Sequence, residues 1–212
     1  PGKAPVHSEW INTEAFLPNF DFARSLKEVT GTTGSVLTWA THESSTLNQI
    51  ASQMAHYQEK DPGLKAWIES LTDKDCGRIL DLNRLTLECY FHPEMKGRTS
   101  LKFVLPAIWN NHPELHAVPW LKEYVLYRDG KAVDPYKVLP TIDIAEKAEA
   151  VRGGTGATRA YQDMMYGLVR DDSATKEKWR KLLLQYCRLD TIAMVIVWIY
   201  WDKAIGLSRW IR

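Results

Sequence analysis

The chain has 212 residues, a formal net charge of +1, 45% hydrophobic residues and nine Trp. That is the length of one domain, with enough apolar material for a filled core. The near-neutral balance excludes a globally basic nucleic-acid binder, so any nucleic-acid contact must come from a local basic patch.

Cys76, Cys89 and Cys187 fit neither a zinc nor a disulfide spacing. They read as reduced thiols and point to a cytoplasmic protein. No signal peptide is legible. The chain opens on Pro1-Gly2-Lys3 without an initiator Met and reads as a fragment of something longer.

Residues 1–20 are punctuated by Pro and Asn, with His7-Ser8-Glu9-Trp10 as a short edge segment. Asp21–Val29 predicts a helix with Phe22, Leu26 and Val29 on one face, ended by Gly31–Gly34. Ser35–Trp39 is a β-rich run bounded by turn signals and predicts a buried strand. A polar turn carrying Glu43 follows, then a helix over Thr46–Gln58. Ligand-binding groups in open α/β sheets gather just past strand carboxyl ends, which marks Glu43. Asp61-Pro62 starts a second helix over Leu64–Leu71.

Gly77–Leu82 predicts a second strand that delivers Asp81 to the start of a helix over Asp81–Phe91, with Leu82, Leu85 and Cys89 on its inner face. His92–Gly97 is a loop. Ser100 caps a helix over Leu101–Trp109 that Pro106 must kink or end. Lys96, Arg98 and Lys102 gather at its N-terminus, where backbone N–H groups and the helix dipole favour phosphate. Asn110–Pro140 reads as irregular, with a short strand near Tyr124–Tyr127. Helices are expected over Ile142–Val151 and Ala157–Tyr166, with a loop from Arg152 to Gly156. No internal repeat is legible.

Asp171–Ser173 caps the last and longest helix. Over Lys178–Ile205, Leu182, Leu183, Tyr186, Leu189, Ala193, Met194, Val197 and Trp201 recur three or four apart, one apolar stripe of an amphipathic helix. Ile192–Trp201 is very apolar but shorter than the roughly 20 residues a bilayer requires, so a buried helix is expected and no membrane partner. Tyr186 and Asp190 lie one turn apart on or beside the stripe. A carboxylate there is costly unless it is paired, hydrogen-bonded or bound to a cation.

The stretch Tyr186-Cys-Arg-Leu-Asp190-Thr191, followed by Ala193-Met194-Val195, resembles the third motif of DEDDy-type exonucleases, RNase H-like nucleases related to the proofreading exonucleases. Together with His92–Trp109 (HPEMKGRTSLKFVLPAIW) it is similar to an uncharacterised bacterial domain family in that superfamily. Some members of that family follow a RecB-like, CRISPR-associated type nuclease domain. The resemblance implies a helix-rich α/β fold, RNase H-like, as a single domain over residues 1–212.

It places Glu43 at the acid of the second motif, Asp81 at a supporting acid, and Tyr186 and Asp190 in the third motif. It implies an upstream nuclease domain or partner subunit. The first motif, Asp-x-Glu on a β-rich run, is absent between Pro1 and Gly34. The first strands are therefore expected to be missing from this chain, or the domain to be degenerate.

The implied chemistry is phosphodiester hydrolysis at a 3′ end of single-stranded DNA or RNA. Two Mg²⁺ or Mn²⁺ ions would activate water and stabilise developing charge. Such ions want oxygen ligands from separate elements, here Asp190 and Glu43. Tyr186 would orient or help deprotonate the water. Lys96, Arg98 and Lys102, with His92, would hold phosphates.

Blander accounts stand beside these. On these, Tyr186 is a buried core residue with Asp190 capping or pairing with Arg188, Glu43 is a first-turn acid favoured by the macrodipole, Asp81 an N-cap, and the basic residues a solvated cluster. Cys187 reads as core. The alternative to an enzyme is a nucleic-acid-binding or assembly module that keeps the fold without the metal site.

Overall fold

Turn and capping residues set the elements of the N-terminal half in the computed structural model, which describes residues 4–14, 16–138, 154–167, 170 and 172–205. Helix α1 (Asn19–Thr30) ends at Gly31, whose φ of 60° is a left-handed conformation that glycine enters without a Cβ clash. It buries Phe20 and Ala23, while Phe22 and Leu26 are half-buried. Val29, expected on the same face, is exposed. His7–Trp10 forms no strand.

Strands β1 (Val36–Thr38) and β2 (Ile79–Asp81) pair in parallel, with Val36 opposite Ile79 and Thr38 opposite Asp81. A parallel pair needs a long crossover, and helices α2 (His42–His56) and α3 (Pro62–Thr72) supply it. Asp61 caps α3 by accepting the Leu64 N–H at 2.8 Å, with Pro62 at the first helical position. Helix α2 starts at His42 rather than Thr46, so Glu43 lies in its first turn and not in a turn before it.

Helix α4 (Leu82–Cys89) follows β2 directly. Its buried residues are Leu82 and Thr86, one turn apart, whereas Leu85 is half-buried and Cys89 exposed. The Thr86 hydroxyl donates to the Leu82 carbonyl at 2.9 Å, which removes the cost of burying it. The loop after α4 contains a 3₁₀ turn, Pro93–Met95.

Helix α5 (Leu101–Asn111) continues past Pro106 and does not end there. A proline inside a helix costs about 3 kcal/mol. Val104, Leu105, Ala107, Ile108 and Trp109 are each 0% exposed, and each large apolar side chain among them gains roughly 1.5–3 kcal/mol from burial. Packing therefore outweighs the missing hydrogen bond.

Residues 113–124 hold two 3₁₀ turns, Pro113–Leu115 and Pro119–Tyr124. The strand expected near Tyr124 starts at Tyr127: β3 (Tyr127–Arg128) pairs antiparallel with β4 (Lys131–Ala132) around Asp129-Gly130, both at positive φ. Helix α6 is the short segment Pro135–Val138.

Helix α7 (Gly154–Tyr166) begins at glycines that had read as loop. The helix expected over Ile142–Val151, with Arg152 and Gly153, lies outside the described residues. Asp172 starts α8 (Ser173–Ile205) by accepting the N–H groups of Ala174 and Thr175 at 3.0 and 3.1 Å.

The parallel pair separates two apolar clusters. Val36 and Ile79 pack with α1, α2 and α3 around Leu64, Trp67, Ile68 and Leu71. Leu37 and Trp39 pack the other way, onto the cluster built from α4, α5, α7 and α8. Alternate residues of β1 thus face opposite layers, as the two-residue period of a strand dictates. The architecture is α/β, helix-rich with a few short strands.

Helix α8 buries Leu183, Tyr186, Leu189, Ala193, Val197 and Trp201, and half-buries Leu182 and Met194, so the stripe read from the sequence is its inner face. Over Ser173–Ala204 the helix is long and apolar enough to cross a membrane by length and composition, and 33% of its most apolar window is buried within the protein.

Candidate functional site

The two strands end side by side and place two acids there. Asp81 Oδ1 accepts the N–H of Ala40 at 2.8 Å and that of Asn83 at 2.9 Å, with Arg84 N at 3.3 Å. One oxygen thereby caps α4 and clamps the chain leaving β1. Glu43, in the first turn of α2, is half-buried, and its Oε2 is enclosed without a hydrogen-bond partner. Burial, opposed by its own backbone N–H and by His42 and reinforced by Asp81, raises the Glu43 pKa above the ordinary carboxylate range. An enclosed carboxylate oxygen with no donor is the costly state that a cation relieves.

A second group forms where α8 meets α5 and α6. The Tyr136 hydroxyl, on α6, donates to Asp190 Oδ1 at 2.6 Å. Tyr136 is 5% exposed. Its position follows from local chemistry: Asp134 accepts the Tyr136 N–H at 3.0 Å, and Pro135 between them fixes the backbone.

The Lys102 ammonium, in the first turn of α5, stands 5.3 Å from the Tyr186 ring centroid and 5.7 Å from that of Tyr136. Burial and the Asp190 charge hold both phenols protonated well above the usual tyrosine range. Arg188 does not pair with Asp190; it bonds Glu123 at 2.8 Å. Cys187, read as core, is exposed, with its thiol pushed up by desolvation and then by Asp190.

The N-terminus of α5 lies between these groups. The Trp39 indole, just past β1, donates to the Thr99 carbonyl at 3.2 Å, which ties the strand end to the start of α5. Ser100, the cap residue, makes no side-chain capping bond.

Of the basic residues expected there, Lys102 turns inward, while Lys96 and Arg98 are exposed and Arg98 lies over the Phe103 ring at 4.7 Å. His92 Nδ1 accepts the Glu94 N–H at 3.3 Å, which makes it the cap of the Pro93–Met95 turn. The structure thus brings Asp190, Tyr186 and Lys102 together, and separately Glu43 and Asp81. Tyr136 was missed in the sequence: it sits in an irregular stretch, and only the Asp134-Pro135 turn signal hinted at an ordered side chain.

Carboxylate oxygens such as those of Glu43 and Asp81 are the donor type a hard cation prefers. Mg²⁺ is commonly held by one or two carboxylates, completed by water and substrate phosphate. Among the described residues no group of three or more His, Cys, Asp or Glu side chains is placed to hold a metal by itself. A groove of ≈ 450 Å³ lies elsewhere, between residues 7–11, α7 and the Leu184, Cys187 and Arg188 side of α8. It opens on the neighbouring face of α8, about 100° round from Tyr186 and Asp190, and holds neither.

Residues 1–100 match the family described as Domain of unknown function (DUF2779). That span is under half of the 212-residue chain. It includes Glu43, Asp81, His92, Lys96 and Arg98 and excludes Lys102, Tyr136, Tyr186 and Asp190. The match agrees with the expected likeness to an uncharacterised domain family and carries no nuclease name. No curated protein and no solved structure matches the chain.

Proposed function

We propose that the domain is RNase H-like and contributes to metal-dependent hydrolysis of phosphodiester bonds at the 3′ end of a single-stranded nucleic acid, DNA or RNA. The observation that carries this reading is the enclosed, unpartnered Oε2 of Glu43 beside Asp81 at the ends of parallel strands, where α/β sheets place ligands. Glu43 and Asp190 are the residues that would hold Mg²⁺ or Mn²⁺. The ion supplies Lewis acidity and an activated water. The protein's own groups do the rest. Tyr136 holds Asp190 by a hydrogen bond of 2.6 Å, Tyr186, kept protonated by burial and the Asp190 charge, serves as a hydrogen-bond donor, and Lys102, Lys96 and Arg98 attract phosphate.

The test is degradation of end-labelled single strands by the full chain with Mg²⁺ or Mn²⁺, comparing wild type with Asp190→Ala and Glu43→Gln. Loss of at least about a hundredfold in both variants is expected for ligands of a catalytic ion. Equal rates in wild type and variants overturn the assignment.

A second reading is a nucleic-acid-binding or assembly module of the same fold. It is favoured by the missing Asp-x-Glu and by the lack of a three-residue ligand group among the described residues. It predicts single-strand binding that is indifferent to Mn²⁺.

A further inference from the structure

We infer that the groove between residues 7–11, α7 and α8 takes an unstacked base of a single-stranded nucleic acid, with the Trp10 indole as its stacking platform; the inference rests on the reading above that the domain handles single strands.

The groove has a volume of ≈ 450 Å³, within the roughly 300–1,000 Å³ of small-ligand sites. Ile11, Leu183 and Leu184 give it an apolar lining, and Trp10 and Tyr161 add aromatic rings. Trp10 is 37% exposed and also lines a second groove of ≈ 140 Å³, with Phe22, Leu26 and Val29 of α1. The indole is thus a partition with ring surface open to a flat partner. It is held in place by the Phe22 ring, 5.7 Å away between centroids. The backbone beside it is held as well. Asn12, 6% exposed, donates to the Glu14 carbonyl at 2.7 Å, accepts the Glu14 N–H at 3.1 Å and hydrogen-bonds the Tyr161 hydroxyl of α7. A platform fixed before binding loses little freedom when it is occupied.

The charges around the groove select a neutral occupant. Arg188 is taken by Glu123 at 2.8 Å, and His7 by Glu9 at 3.0 Å. An acidic or basic peptide would need an unpaired counter-charge here. A base is neutral and flat, and it stacks on an aromatic face whatever its sequence, while its phosphates stay in water. The groove also adjoins the candidate site. Cys187 and Thr191 line it and directly follow Tyr186 and Asp190 on α8. A strand held at Tyr186 therefore reaches the groove by passing about 100° round the helix.

The test measures binding of the full chain to an end-labelled oligothymidylate of about twelve nucleotides, and to a wholly abasic strand of the same length, by fluorescence anisotropy with a chelator present. Trp10→Ala should weaken oligothymidylate binding about fivefold or more, and Trp10→Phe, which keeps a ring, by less than about threefold. The abasic strand should bind wild type and both variants within about twofold of one another. A second measurement follows the Cys187 thiol, which is exposed as are those of Cys76 and Cys89. With Cys76 and Cys89 changed to Ser, saturating oligothymidylate should slow maleimide labelling of Cys187 about fivefold or more.

If Trp10→Ala binds oligothymidylate like wild type, the inference is overturned. Unchanged labelling of Cys187 with the strand bound also overturns it, and leaves the groove to another occupant such as an apolar side chain of a peptide. Should Trp10→Ala weaken both strands equally, in step with a lowered Tm, the indole is structural and the inference falls. Wild type that binds neither strand defeats the functional reading and takes the inference with it.

Discussion

Asp81 Oδ1 accepts the N–H of Ala40 at 2.8 Å, across the ends of two parallel strands. Ala40 has φ 66°, a conformation an L-residue with a Cβ adopts at a cost of roughly 1–2 kcal/mol. The carboxylate compensates by satisfying that N–H together with the first donors of α4. Asp81→Ala should therefore destabilise the fold by about 2 kcal/mol, more than a simple cap. Asp81→Asn, which keeps an acceptor oxygen, should cost less than half of that. Ala40→Gly should be neutral or stabilising, since glycine enters this region freely. Urea unfolding of the three variants checks the ranking; equal stability of Asp81→Ala and wild type would show the clamp to be idle.

Glu43 makes stability depend on pH in an unusual direction. Its folded pKa is raised above the ordinary carboxylate value, first by burial. Between that value and the folded pKa, the native state binds more protons than the unfolded chain. Stability from this group is therefore full at low pH and is lost as pH rises through the folded pKa. Glu43→Gln should stabilise the metal-free protein at pH 7–8, by about 1 kcal/mol after allowing for partial exposure. The gain should shrink towards zero near pH 4. Unfolding midpoints at pH 4, 6 and 8 decide the matter, and a variant less stable than wild type at pH 8 would contradict the strained-carboxylate account.

The Arg78 side chain reaches three carbonyls of the loop that leads into β1: Thr33 at 2.7 Å, Gly34 at 2.9 Å and Gly31 at 2.8 Å. One guanidinium so satisfies the Thr33 and Gly34 carbonyls and shares that of Gly31 with the Trp67 indole. Arg78→Lys keeps the charge but offers one donor centre in place of a planar fork. Both Arg78→Lys and Arg78→Ala should cost about 1–2 kcal/mol, with little difference between them. Recovery of most of the stability by Lys would show that charge, not fork geometry, matters. Hydrogen exchange of residues 31–36 should accelerate in both variants.

The sequence was most informative where a local signal and the tertiary environment agree. Gly31, Asp61-Pro62 and the stripe of α8 mark elements that form as expected, because cap chemistry and burial point the same way. At Pro106 it left a kink or an end open, and five fully buried neighbours carry the helix on past the local breaker; it misled at Cys89 and Cys187, apolar by type but exposed. The candidate site was legible in part. Tyr186 and Asp190 share a helix face by spacing alone, and Glu43 and Asp81 follow strands. Tyr136 was not legible, since its role depends on a contact 54 residues away and no periodicity encodes that. The inward turn of Lys102, away from exposed Lys96 and Arg98, likewise depends on two rings brought by α6 and α8.

The protonation of Tyr186 bears on how it acts. Burial, the Asp190 charge and a hydrogen bond to Asp190 all raise its pKa above the ordinary phenol range. The phenolate is then a negligible fraction of the protein between pH 7 and 9, and a base in that range would have to be something else. Tyr186 is placed to donate a hydrogen bond, not to accept a proton. Tyr186→Phe should accordingly lower kcat for strand degradation by about ten- to a hundredfold, the worth of one donor in an enclosed site. The ratio of wild-type to variant rates should stay flat from pH 7 to 9. A ratio that climbs about tenfold per pH unit would mean that the phenolate is the active form. That outcome would require the Asp190 carboxylate and the burial around Tyr186 to be relieved once substrate is bound.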